Sequence, residues 1–480
     1  MVGIGIDFGT SNSSVVLFDG ERLEVLAVEP GAPDPAVMPT ALYLSRDKKG
    51  TIGQAGIDRY LRENAGRRIT LEREHVGTIE LTLADTDYTQ QSGPSADGLE
   101  IEARVHAYTD AGLPGRLFRG VKRWLGATGL EHVRVFGEPY RIVALITPVL
   151  AHLGERARAH GDRSTDVRVG RPVHYERSAS VKEHAADSLA ARRMRESCGY
   201  AGLQAFELFP EPVAAALPFL ERERDRSGEI VLSFDFGGGT LDLALVRSTR
   251  GGVEVLATHG LGLGGDAINR DMYRRFIFPE IGEGLERTLP VEDREVRAPF
   301  PFDRFADRLL NWPLAYELNQ PALCEVIAHA MREGPEARRR LARLRGIVEG
   351  NLAYAVFLAI ERCKVALSSA DRASIRLDEI DLDVEVTRAA FEHSLAPVLT
   401  EIDACVDAVL LAAGVSAADV GVVVRTGGSS RIPAVVDRLA QRFPDRVLEQ
   451  DAFTSIAAGL ALASFRGEAF GGTRPGARVC

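Results

Sequence analysis

A two-lobed α/β fold is what this sequence predicts, on the strength of three glycine-rich turns at the ends of apolar runs. Asp7-Phe8-Gly9-Thr10-Ser11-Asn12-Ser13 and Asp235-Phe236-Gly237-Gly238-Gly239-Thr240-Leu241-Asp242 each follow one apolar run (Val2 to Ile6; Ile230 to Phe234) and precede another (Val15 to Phe18; Leu243 to Val246). Each is therefore expected at a hairpin turn between strands. The third, Arg425-Thr426-Gly427-Gly428-Ser429-Ser430-Arg431-Ile432-Pro433, follows the strand-like run Val420 to Val424 and opens an amphipathic helix.

The glycines let backbone N–H groups approach phosphate oxygens with no Cβ in the way. Asp7 and Asp235 fall at the strand ends, where a carboxylate can hold a hydrated Mg²⁺ that bridges the same phosphates. One such turn alone is a common structural turn. Two turns of this kind, joined by a third, point to related lobes gripping one ATP.

Composition narrows the class. The 480 residues, 45% hydrophobic, are enough for two or more cores. A net charge of −10 argues against a nucleic-acid partner, which needs an excess of Lys and Arg. No apolar stretch approaches a membrane span and the N-terminus enters a strand directly, so a cytoplasmic protein is expected. Cys198, Cys324, Cys363, Cys405 and Cys480 are scattered, with no Cys-x-x-Cys or His-Glu-x-x-His, and are expected to be reduced thiols. A Gly-x-x-x-x-Gly-Lys-Ser/Thr loop is absent, which excludes a P-loop ATPase. Gly260-Leu261-Gly262-Leu263-Gly264-Gly265 fits a dinucleotide fingerprint, but it lies downstream of a phosphate loop already assigned.

Arginine is the default cation, since only Lys48, Lys49, Lys122, Lys182 and Lys364 among the 58 basic residues are lysine. A compact ammonium meets a phosphate differently from a planar guanidinium, so each lysine calls for a reason. Lys122 lies in the run Arg116, Arg119, Lys122, Arg123, which on its own reads as a solvated basic face in preference to a phosphate ligand. Glu361, Lys364 and Ser368 share one helical face at i, i+3 and i+7, with an exposed ion pair as the alternative. The cluster Arg338, Arg339, Arg340, Arg343 and Arg345 is expected to be a solvated face paired with acids.

In chain order the two phosphate loops, Val121-Lys122-Arg123-Trp124-Leu125-Gly126, Glu211-Pro212-Val213-Ala214-Ala215-Ala216, Gly264-Gly265-Asp266, Glu361 to Ser369 and Thr426 to Pro433 resemble the ATPase domain of the heat shock protein 70 (DnaK-type) family. The resemblance spans nearly the whole chain. It implies an actin-like (ribonuclease H-like) two-lobed ATPase fold with inserted subdomains. Lobe I would cover 1–224 with an insertion near 40–118, including a long loop around Thr89 to Gly98. Lobe II would cover 225–449 with a helical insertion near 265–398. A helix at 450–465 would return to lobe I, and 466–480 would be a flexible tail.

The function the resemblance implies is slow ATP hydrolysis with Mg²⁺, and K⁺ beside it, by positioning and charge stabilisation. Asp7 and Asp235 would hold the metal's water shell. Gly9, Thr10, Ser11, Asn12 and Gly237, Gly238, Gly239, Thr240 would cradle phosphates, Thr240 also standing among the catalytic groups with Lys122, Glu211 and Asp242. Lys122 would stabilise charge near the γ-phosphate, and Glu211 or Asp242 would orient or deprotonate water. Gly264, Gly265, Asp266, Glu361, Lys364, Ser368, Gly427, Gly428, Ser429 and Arg431 would complete the nucleotide site. Val365 stands where chaperone members place an arginine against adenine.

With no interdomain linker or β-rich peptide-binding domain in this sequence, the resemblance is to the shorter YegD-like subgroup. It implies a chaperone-like nucleotide switch acting on an unidentified protein partner, without nucleic acid or membrane. A sugar-type kinase of the same superfamily and an actin-like scaffold are the alternatives. Lys122 together with Glu211-Pro212 favours the switch.

Overall fold

The computed structural model describes residues 2–83, 99–160, 166–175, 188–223, 228–249, 252–291, 294–467 and 478–479, with backbone alone for 74–83, 99–106, 291 and 478–479. Two sheets of the same topology organise it. In the first, Phe206–Pro210, Val167–Arg171, Gly3–Phe8, Asn12–Phe18 and Leu23–Val25 lie in that order, and in the second Val447–Glu449, Val420–Thr426, Ile230–Phe236, Leu241–Thr249 and Gly252–Leu261 do. Each begins with two parallel pairings and continues with two antiparallel ones. The repeat visible in the loops is therefore a repeat of whole sheets.

The innermost strands read as they do because both faces are covered. Along Gly3–Phe8, Ile4 and Ile6 enter a core with Leu145, Ile146, Val149 and Leu150 of the helix Ile142–Arg158. Gly3 and Gly5 face the helix Ser455–Arg466, where an added Cβ would lie 2.1 Å from the Ala461 carbonyl oxygen and 2.0 Å from that of Ala457. The same helix meets Glu211–Arg222 at Gly459, whose Cβ would lie 1.8 Å from the Ala214 carbonyl oxygen. These two alanine-rich helices form the middle layer, packed against Val16 and Phe18 of one sheet and Val231, Ala244 and Val246 of the other. Small side chains thus bring the sheets, and the loops at their ends, close together.

Some expectations need correction. The region 265–398 is not purely helical, because it contains the hairpins Glu286–Val291/Arg294–Pro299 and Arg372–Leu377/Leu382–Thr387. The tail contributes Arg478–Val479 as a short strand parallel to Gly252–Leu261, so its end is paired. Arg343 of the arginine cluster is buried, with its guanidinium between Glu280 and the Asp381 carbonyl; it holds the insertion together instead of facing solvent. The loop at Thr89 to Gly98 and residues Lys182 and Cys480 lie outside the described residues. Among the described residues no helix is long and apolar enough to cross a membrane.

Gly5→Val places two methyl groups where helix backbone already stands. It is expected to destabilise the chain by about 3 kcal/mol or more, read as a lowered denaturant midpoint, whereas Gly199→Ala, at an exposed helical glycine with open space around it and no positive φ, should cost far less.

Candidate functional site

The two hairpin turns are built alike. Gly9 N–H donates to the Asn12 carbonyl and Gly237 N–H to the Thr240 carbonyl, each at 3.0 Å. Register then fixes the acids: Asp7 stands opposite Ser14, and Asp235 lies between Asp242 on one side and Thr426 on the other. The turns face each other so closely that a Cβ on Gly238 would fall 2.0 Å from Ser11 Oγ. At the third turn, Gly427 has a φ of +83°, and a Cβ there would lie 2.4 Å from the Phe236 carbonyl oxygen. Only glycine meets both conditions. Asp7, Gly9 to Asn12, Lys122, Glu211, Asp235, Gly237 to Thr240, Gly427 and Gly428, with Ala452, Phe453 and Ile456, line one open cleft of about 550 Å³ including its solvent-filled part.

The turn after Leu261 is locked under the second loop. Gly265 N–H donates to the Gly237 carbonyl at 3.0 Å and Asp266 N–H to the Gly238 carbonyl at 2.8 Å, while Ser429 Oγ donates to the Gly237 carbonyl at 2.8 Å. Gly264 must be glycine, because its Cβ would lie 2.4 Å from the Gly238 carbonyl oxygen. Lys364 Nζ donates to the Gly265 carbonyl at 3.2 Å, so this rare lysine is anchored to the same turn.

At the cleft floor Lys122 Nζ lies 2.5 Å from Glu211 Oε1, with both side chains buried. Glu211 is the first residue of its helix, where a carboxylate also suits the positive end of the dipole. Asp242 Oδ1 accepts from Val173 N–H at 2.9 Å, and Asp7 Oδ1 is buried with no hydrogen-bond partner. Burial, then the Glu211 charge, pushes the Asp7 carboxyl up to about 7 against the pull of Lys122. Asp242 is pushed to about 7 by burial and, in lesser part, Glu211, against the Thr240 hydroxyl, Val173 N–H and Lys122. Asp235 is raised well above the usual carboxylate range by burial and by Asp242, Glu211 and Asp7. Burial opposes the Lys122 charge, yet Glu211 and Asp7 more than offset it and hold the ammonium above its ordinary value.

Four carboxyl groups around one ammonium make a site short of positive charge. The orphaned Asp7 oxygen and this imbalance fit a divalent cation. Among the described residues no group of three or more His, Cys, Asp or Glu side chains is placed to hold a metal ion directly.

Not every expected residue reaches the cleft. Arg431 donates from Nε to Glu449 at 2.8 Å, away from the lining. Ser368 lies beyond the end of the helix Ala353–Ala366. Val365 is 64% exposed. Asp266 pairs with Arg123 at 2.9 Å, and Glu361 stands 3.6 Å from Arg119. Arg119 and Arg123 therefore join the lobes, roles that the basic run suggested only as solvated charge. Gly170 was also missed: a Cβ there would lie 3.0 Å from Glu211 Oε1, so a strand glycine makes room for the catalytic candidate.

The Hsp70 protein family model matches residues 187–283 and 353–468. Chaperone protein DnaK of Deinococcus proteolyticus is 25% identical over 97% of this chain and 59% of its own length. The DnaK proteins of Deinococcus radiodurans (26%, covering 97% and 60%) and Thermus thermophilus (25%, covering 97% and 61%) are similar to the same extent. The chain spans about 60% of the length of these curated relatives.

Raised carboxyl pKa values carry a sign for stability. Between about pH 4, where an unfolded aspartate ionises, and about 7, the folded chain holds protons the unfolded chain has lost. Unfolding free energy from this cluster therefore falls as pH rises through that window and stays low above it. Asp242→Asn is expected to stabilise the ligand-free chain at pH 8 by about 1 to 4 kcal/mol and to flatten the fall between pH 5 and 8. Denaturant unfolding across that range checks both.

Proposed function

We propose that this chain, which belongs to the Hsp70 family, binds ATP with Mg²⁺ in the cleft between its lobes, hydrolyses it slowly, and uses the nucleotide state to control a protein partner. The buried Lys122–Glu211 pair, set among three aspartates where two matching glycine turns meet, is the observation that carries this reading.

The backbone N–H groups of both turns, with Thr10, Ser11 and Thr240, would hold the phosphate chain. Asp7 and Asp235 would hold the ion's water shell, and Mg²⁺ would supply neutralisation of phosphate charge when bound. With the nucleotide in place, Lys122 would exchange part of its contact with Glu211 for the γ-phosphate and stabilise the charge that builds there. Glu211 would then be free to accept a proton from the attacking water or to orient it. Asp242, fixed by Val173 N–H and raised to about 7, is the second candidate for that role near neutral pH. Phosphoryl transfer asks for this kind of placement more than for covalent chemistry. Control of a partner would follow because the cleft is formed jointly by both lobes, whose middle layer is the helix pair Glu211–Arg222 and Ser455–Arg466.

Lys122→Met should keep ATP affinity within about threefold yet lose hydrolysis by about 10²-fold or more, measured as single-turnover phosphate release beside equilibrium binding. Wild-type turnover in that variant would remove Lys122 from the mechanism. Asp7→Asn and Asp235→Asn should each weaken the Mg²⁺ dependence of ATP binding by about tenfold. A Mg²⁺ titration unchanged in both variants would overturn the shared site.

A further inference from the structure

The loop that carries Lys122 is a string of tight turns. Arg123 N–H donates to the Gly120 carbonyl at 3.1 Å, Leu125 N–H to that of Lys122 at 3.3 Å, Ala127 N–H to that of Trp124 at 3.1 Å, and Leu130 N–H to that of Ala127 at 3.4 Å. Such bonds join near neighbours, and they leave spare lone pairs on the carbonyls that follow the short turn Val121–Trp124. Arg193 takes these up. Its Nη1 faces the carbonyls of Trp124 at 3.4 Å, Leu125 at 3.0 Å and Ala127 at 3.0 Å, and its Nη2 donates to that of Leu130 at 2.9 Å. One guanidinium thus gathers four main-chain acceptors from the segment Trp124 to Leu130, a task that suits a planar group with its donors set in a fixed fork.

The base of Arg193 is rigid. Its helix, Leu189–Tyr200, begins at Ser188, whose Oγ accepts from Ala191 N–H at 3.2 Å, and it packs Ala190, Ala191, Met194 and Cys198 into one core with the helix Ile142–Arg158. Val121 and Leu125, on either side of Lys122 in the sequence, enter the same core. Lys122 Nζ reaches Glu211 from between them. The Arg193 guanidinium bonds the main chain of this loop, so what it does for the ammonium passes through the backbone.

We propose that Arg193 is a positioning residue for Lys122: by holding the segment Trp124 to Leu130 it keeps the ammonium where charge builds on the transferred phosphoryl group. The inference rests on the nucleotide reading of the cleft. Lys122 carries its charge on a flexible stem, so once its contact with Glu211 is partly exchanged for phosphate, its aim depends on how firmly its backbone is held. Without the guanidinium the four carbonyls turn to water, the turns loosen, and the ammonium spends less time in the productive place. A displacement of about 1 Å far from the chemistry can cost about 10²-fold in rate. Binding is shared among the glycine turns of both sheets and changes little, so turnover and affinity separate.

Single-turnover phosphate release, measured beside equilibrium ATP binding, tests this. Arg193 is half-buried, so Arg193→Ala should remain folded; it should slow release by at least about tenfold while ATP affinity stays within about threefold. In a Lys122→Met chain the same substitution should change the residual rate by less than about twofold, because a residue that acts through Lys122 has nothing left to position. If Arg193→Ala does not fold, Arg193→Lys takes its place in both backgrounds. Its ammonium can face fewer of the four carbonyls, and release should slow by about threefold when Lys122 is present. Release at the wild-type rate, or a fall that persists in full without Lys122, would overturn the positioning role while leaving the nucleotide site standing. A wild-type chain that releases no phosphate from ATP would overturn the nucleotide reading, and the positioning role with it.

Discussion

The constraint on which the rest of this structure depends is negative charge held in a dry crease. Asp7, Glu211, Asp235 and Asp242 are all buried around Lys122. Removing ionised carboxylates from water costs several kcal/mol each unless a partner or a proton compensates. One ammonium serves four carboxyl groups here, so the raised pKa values of three of them describe a site waiting for positive charge. A sequence selected for stability alone would not keep this arrangement. Its place at the meeting point of the two sheets suits a cation, whose charge would compensate these carboxylates.

Placing those acids requires backbone proximity, which small residues supply. The glycines of Gly3–Phe8 and the alanines of the helices Glu211–Arg222 and Ser455–Arg466 let two sheets share one thin layer of helix. The glycine turns then meet at a distance that no side chain on Gly238 would allow. Close approach in the core and close approach at the site are thus one design choice made twice. They also set the geometry of charge, since Glu211 begins one of those helices while Asp7 and Asp235 sit on strands on either side of it. Electrostatics at the floor is inherited from packing in the middle.

What was legible in the sequence follows from the range of the forces involved. The two hairpin turns, Asp7 and Asp235 within them, the third turn at Gly427 and the helix starting at Glu211 all have local signatures, because strand alternation, glycine and a first-turn acid act over a few residues. Their convergence on one cleft was readable because the local patterns came in matched pairs. Arg119 and Arg123 were not assignable, since an arginine in a basic run looks the same whether it meets water or Asp266 across a cleft. Gly170 gave only a glycine in a strand, and its reason, the Glu211 carboxylate, lies on another element. Arg431 went the other way: its motif suggested the ligand, but Glu449 on a neighbouring strand draws its side chain off. The hairpins of the second insertion were hidden by the helical composition around them.

Lysine usage joins these levels. Arginine fills almost every surface and interface role in the chain, including the ion pairs from Arg119 and Arg123 that cross between the lobes. Lys122 and Lys364 are retained where the ammonium sits against buried polar atoms, the Glu211 carboxylate in one case and the Gly265 carbonyl in the other. A guanidinium is larger and planar, so it would not fit against these acceptors as a compact ammonium does. The two lysines also sit on different lobes, Lys122 in the turn Val121–Trp124 and Lys364 near the end of the helix Ala353–Ala366. Movement of one lobe against the other would therefore shift Lys122 relative to the Gly265 turn, while Lys364 would travel with that turn through its bond to the Gly265 carbonyl. Cleft geometry and charge placement are in this way tied to how the two lobes sit together.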